Sequence, residues 1–96
     1  MAAQNVEEQK NIEGSVKEFI VENFLFGKEP ENGIEPQASL METGIIDSTG
    51  ILEIIDFLEK TYAIKVEDDE LIPENLDSLE NIGKFISGKL NASADQ

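Results

Sequence analysis

Three stretches of this chain repeat large apolar residues at helical spacing, and that pattern limits the fold more than any other feature. The first is Ile12, Val16, Phe19, Ile20 and Phe24, with Glu13, Lys17, Glu18 and Glu22 falling between them to face water. The second is Ile51, Leu52, Ile54, Ile55, Leu58 and Tyr62, whose polar side carries Glu53, Asp56, Glu59 and Lys60. The third is Leu79, Ile82, Phe85, Ile86 and Leu90. Each helix alone would expose a stripe of bulky groups, and packing the stripes together is the economical way to bury them. The expected fold class is all-α: a four-helix bundle of three main helices and one short one.

The ends and connections carry their own signals. Asn5 with Glu8 fits a capping box, so the first helix should begin near Val6, and Gly27 and Pro30 mark its end. Residues 27 to 47 make a loop longer than ordinary connections, containing Pro30, Gly33, Pro36 and Gly44, with Leu40, Ile45 and Ile46 available to pin it to the bundle. In the shorter link at 63 to 76, "EDDEL" predicts one helical turn, with Leu71 and Ile72 facing inward and Pro73 stopping it. Asp77 with Glu80 fits a capping box for the last helix. The organisation expected is a tail at 1–5, a folded domain at 6–90 and a second tail at 91–96, both tails disordered.

Composition removes whole classes of chemistry. With no cysteine and no histidine, the chain has no thiolate nucleophile, no imidazole base, no Cys/His zinc site and no Ser-His-Asp triad. No catalytic residue and no metal ligand set is expected. Seven lysines face 21 Asp and Glu, a net charge of −14, and there is no arginine to clamp a phosphate. Such a field repels nucleic acid and anionic membrane surfaces and draws in proteins with basic patches. The first ten residues lack a basic n-region and an apolar stretch, so a cytoplasmic protein is expected.

Two serines follow aspartates, Ser48 in "GIIDSTG" and Ser78 in "NLDSLENI". Ser78 reads as an ordinary first-turn residue behind the Asp77 cap. At Ser48 the same reading is available, but Asp47 can cap the helix by itself and leave the hydroxyl free. Gly50 stands inside the first turn, where glycine costs up to about 1 kcal/mol relative to alanine, as though something must approach closely. Ile45 and Ile46 are placed to anchor the backbone just before it. A hydroxyl at a helix N-terminus, near free N–H groups and the positive end of the dipole, suits an attached phosphate. It has no adjacent base to make it a nucleophile in its own right, so the residues point to a serine modified by another enzyme.

The stretch "SLMETGIIDSTGILEIIDFLEKTYAIKV" resembles the heart of the acyl carrier protein family, which includes peptidyl and aminoacyl carrier domains, and the pattern extends from about residue 12 to residue 90. The resemblance implies that Ser48, which opens the second helix with two helices to follow, carries a covalent 4′-phosphopantetheine, with Asp47 and Thr49 flanking it. A phosphopantetheinyl transferase would install the arm, and its terminal thiol would carry acyl or aminoacyl groups as thioesters to activating, condensing or transferring enzymes. The bundle itself is then a monomeric carrier without catalytic activity, presenting a tethered substrate at high effective concentration. The family implies that partners with basic patches read the second helix, here through Glu53, Asp56 and Glu59. Thr49, where leucine is usual, and Gly50, where fatty-acid carriers often have an acidic residue, turn the expectation toward a specialised fatty-acid, polyketide or nonribosomal-peptide pathway. Phe24, Phe57 and Phe85 are expected to fill the interior and limit burial of a long chain. The competing readings are an unmodified acidic interaction module and, within the family, a discrete peptidyl or aminoacyl carrier. A calcium-binding loop fails because "VEDDELIPENLDSLE" has no glycine at the turn.

Overall fold

A computed structural model describes residues 6–28 and 33–94 of the 96-residue chain; Asn5 and Pro30, expected to frame the first helix, lie outside the described residues. Four α-helices follow in order: α1 (Val6–Phe24), α2 (Ser48–Tyr62), α3 (Pro73–Leu76) and α4 (Leu79–Ala94), with a 3-10 turn at Asp68–Glu70 before α3. No strand occurs among the described residues. The all-α four-helix arrangement expected from the periodicity is the one observed.

The interior is aliphatic. Ile12, Val16 and Ile20 of α1, Ile54 and Leu58 of α2, and Ile82 and Ile86 of α4 are almost entirely buried. Each contributes about 1.5–3 kcal/mol through burial, whereas exposed ion pairs such as Lys60–Asp56 contribute about 0–1 kcal/mol, so the apolar stripes decide the fold. The aromatic residues sit elsewhere than expected. Phe24, Phe57 and Phe85 are only half-buried, packed against the outside of the aliphatic cluster. Phe57 stacks on Phe19 with ring centroids 4.5 Å apart, and Phe24 meets Phe19 edge-on at 6.0 Å. A ring at the boundary keeps its area against α1 and α2 while leaving the narrow interior to branched aliphatics. Leu52, counted in the α2 stripe, is exposed.

The helix ends depart from expectation in an instructive way. Past α1, Phe26 (φ 57°) and Gly27 (φ 81°) both take left-handed conformations, and the Gly27 N–H donates to the Val21 carbonyl at 2.8 Å. At α4 the cap is Ser78 and not Asp77: the Ser78 Oγ accepts from the Asn81 N–H at 3.1 Å, and the serine is buried. Asp77 instead closes α3 in a helical conformation, which turns its carboxylate toward the long loop. There it accepts the Ser39 hydroxyl and the Met41 N–H. Pro73 starts α3 rather than stopping a helix, since its fixed φ and missing N–H suit a first helical position. The "EDDEL" turn is 3-10, with Leu71 half-buried and Ile72 exposed. α4 runs helical to Ala94, into the segment expected to be a tail.

These junctions fix the long loop. Leu40 is fully buried, and Ile34 and Ile46 nearly so. The Leu40 N–H donates to the Asp77 carbonyl at 2.7 Å, and the Pro36 carbonyl accepts the Glu80 N–H at 2.9 Å, satisfying a free donor in the first turn of α4. The loop is therefore stapled to the α3–α4 junction before it delivers the chain to α2.

Candidate functional site

Ser48 is the first residue of α2, and the residue before it does the capping. Asp47 has an extended backbone (φ −112°, ψ −172°), and its carboxylate accepts the Gly50 N–H at 2.8 Å. That leaves the Ser48 side chain exposed and outside the hydrogen-bond network of the described residues. Three other serines are committed: Ser39 donates to Asp77, Ser78 caps α4 and Ser87 donates to Glu8 at 3.0 Å. Between the two serines that follow an aspartate, one hydroxyl is buried in a structural bond and the other faces solvent.

The backbone under Ser48 is held from below. Ile46 is buried, and its N–H donates to the Leu40 carbonyl at 3.2 Å; Ile45 is half-buried. Gly50 is buried too, and a Cβ there would lie 3.1 Å from the Phe24 ring and 3.2 Å from the Ile46 Cβ. The close approach that the glycine permits is that of the chain's own α1 end, so its presence needs no outside ligand. Sequence alone could not tell these apart, because Phe24 is 26 residues away and met only in the fold.

Beside the serine opens an apolar groove of about 330 Å³ between α2 and the α3 region. Ile51 and Leu52 of α2 line it together with Leu71, Ile72, Pro73, Leu76 and Met41, and Ser48 and Asp77 are its only polar side chains. The groove had no sequence signal of its own, since its walls come from four separate segments.

The acidic residues of α2 part company. Glu53 is exposed, and Asp56 is exposed and paired with Lys60 at 3.0 Å. Glu59 is half-buried and its carboxylate accepts the Val66 N–H at 2.9 Å, so it organises the following loop rather than standing free on an open face. Thr49 is exposed beside Ser48. Among the described residues, Glu70 is the carboxyl pushed clearly below its usual range, by the Glu67 N–H bonded to it and then by the Lys89 ammonium. Among the described residues no group of three or more carboxylates is arranged to hold a metal, and no helix is long and apolar enough to cross a membrane.

No family model matches the chain. It is similar to a probable acyl carrier protein, PigG, of Serratia sp. (strain ATCC 39006), with 26% identity over 85 residues that span 88% of this chain and 94% of that protein.

Proposed function

We propose that this chain is an acyl carrier protein, modified on Ser48 with phosphopantetheine and serving a specialised biosynthetic pathway. The observation that carries the reading is the free hydroxyl of Ser48: exposed at the first residue of a long helix, relieved of capping by Asp47, and standing at the mouth of an apolar groove. The similarity to a probable acyl carrier protein over most of both chains supports it.

The residues present suit such an arm. Ser48 lies where the positive end of the α2 dipole favours an attached phosphodiester, and its anchored backbone gives the arm a fixed origin. In the loading step the Ser48 Oγ attacks the β-phosphorus of coenzyme A. The diphosphate P–O bond breaks, adenosine bisphosphate leaves, and the serine proton passes to a base supplied by the transferase. When bound, the arm supplies a thiol, which this cysteine-free chain lacks, to hold the cargo as a thioester. Glu53 presents negative charge on the α2 face near Ser48 to partners with basic patches, Asp56 lies further along the helix in a pair with Lys60, and Thr49 and Leu52 extend that contact surface. The groove favours apolar acyl cargo over aminoacyl cargo, because it offers no carboxylate along its walls apart from Asp77, which is already bonded to the loop. Burying an ammonium there would cost its hydration without return.

Intact-mass analysis tests the reading. Incubation with coenzyme A, Mg²⁺ and a broad-specificity phosphopantetheinyl transferase should add one group of roughly 340 Da through a covalent bond to serine. Ser48→Ala should abolish the addition and Ser78→Ala should retain it. Addition to the Ser48→Ala chain, or none to the wild type with any competent transferase, would sink the proposal.

A further inference from the structure

One wall of the groove beside Ser48 is not helical. Leu71 and Ile72 follow the 3-10 turn, and the main-chain hydrogen bonds of residues 67–72 are made within that segment or to the first turn of α3. Side chains from two helices tether it. Where the segment begins, the Glu59 carboxylate of α2 accepts the Val66 N–H at 2.9 Å. Near its end, the Lys89 ammonium of α4 donates to Glu70 Oε1 at 2.8 Å. That same oxygen accepts the Glu67 N–H at 2.9 Å, and the Glu70 carbonyl accepts the Asn75 side chain at 3.0 Å.

The Lys89–Glu70 pair differs in kind from the Lys60–Asp56 and Lys84–Glu80 pairs. Lys60 and Lys84 bond carboxylates one turn earlier on their own helices, which positions nothing beyond the helix. Lys89 reaches a separate element across 19 residues, both side chains are largely covered, and its ammonium lies 5.4 Å from the Phe85 ring centroid. Glu70 directly precedes Leu71 and Ile72. Cargo in the groove would meet Leu71 and Ile72, whose chain runs straight on from Glu70, the residue whose carboxylate Lys89 holds.

We infer that Lys89 and Glu70 form a clasp that sets the position of the 71–72 wall, and hence the size of acyl cargo that the groove shelters. They are positioning residues, acting through the wall. The inference rests on the carrier reading for its cargo, and on the geometry alone for the clasp.

Lys89→Met keeps the aliphatic stem and removes the charge; Lys89→Arg keeps the charge; Glu70→Gln removes it from the other side. In the unmodified chain, hydrogen exchange at amides 67–72 should speed up about tenfold in Lys89→Met and Glu70→Gln, while the amides of α1 and α2 and the Lys89→Arg chain stay near wild type. On chains loaded with straight acyl groups of increasing length, the thioester should hydrolyse more slowly than free acyl-pantetheine up to a limiting length. Lys89→Met should move that limit to longer chains. A lower melting temperature with unchanged exchange at 67–72 and an unchanged length profile would reduce the pair to a plain structural bond and overturn the clasp. Wild-type thioesters hydrolysing at the free rate at every length would also overturn it. Failure of the transferase to load Ser48 would count against the carrier reading alone, and the exchange result would still decide the clasp.

Discussion

Ser48 and Ser78 sit in nearly the same local sequence, and what separates them is the partner of the preceding aspartate. Asp47 turns back to the Gly50 N–H, whereas Asp77 reaches across to Ser39 and Met41 and leaves the cap to Ser78. The first bond is local and readable from spacing; the second depends on a loop 36 residues away and was not. Glycines show the same divide. Gly83 raised no flag in the sequence, yet a Cβ there would lie 2.9 Å from Gln9 Cγ and 3.0 Å from the Gln9 carbonyl oxygen. That oxygen belongs to the α1 backbone and cannot swing aside. Gly83→Ala should therefore overpack the α1–α4 contact by about 1–3 kcal/mol, more than the roughly 1 kcal/mol that alanine returns in helix propensity. At Gly50 the half-buried Phe24 ring edge at 3.1–3.3 Å can shift by a few tenths of an ångström, while the Ile46 Cβ at 3.2 Å moves only with its anchored backbone, a milder overlap that the gain in helix propensity offsets. Urea denaturation should rank Gly83→Ala well below wild type and Gly50→Ala near it. The reverse order would mean that α1 and α4 slide apart freely.

At the scale of elements, the long helices were legible because their buried positions recur with the helical period, and each such position is repeated evidence for one face. The short elements were not. Pro73 can end a helix just before it and equally favours starting one, and four residues of α3 carry too little periodicity to choose. The 3-10 turn is set by a local capping box between Glu67 and Glu70 and by the distant Lys89, of which only the first is visible in sequence. The clasp makes this element sensitive to acid. The Glu70 carboxyl titrates below its ordinary value of 4.5 in the folded chain. Its contribution is thus complete above the ordinary carboxylate range and is lost as pH falls through the lowered value. The melting-temperature gap between wild type and Glu70→Gln should hold steady at neutral pH, above the ordinary carboxylate range, and shrink as pH falls below that range. A gap that persists undiminished in acid would show that the carboxylate charge is not what holds the turn.

Across the whole molecule the dominant fact is charge. A net −14 is spread over a body 40 × 27 × 21 Å. At 0.01 M salt the Debye length is about 30 Å, so acidic groups on opposite faces repel one another; at 0.1 M it is about 10 Å and only neighbours do. Surface pairs such as Lys60–Asp56 and Lys84–Glu80 are one helical turn apart and contribute about 0–1 kcal/mol each, so screening removes little from them. Repulsion summed over many carboxylates is the larger quantity, and it opposes the compact state. Added sodium chloride should therefore raise the melting temperature, with most of the rise complete by about 0.1 M. The same salt should slow association with a basic partner, because there the long-range field is attractive. Opposite signs for stability and association rate follow from one charge distribution seen from inside and from outside. A melting temperature that is flat or falls between 0.01 and about 0.1 M would mean that the carboxylates are already neutralised in the fold. In that case Glu53 and Asp56 would have little field left with which to steer a partner toward Ser48.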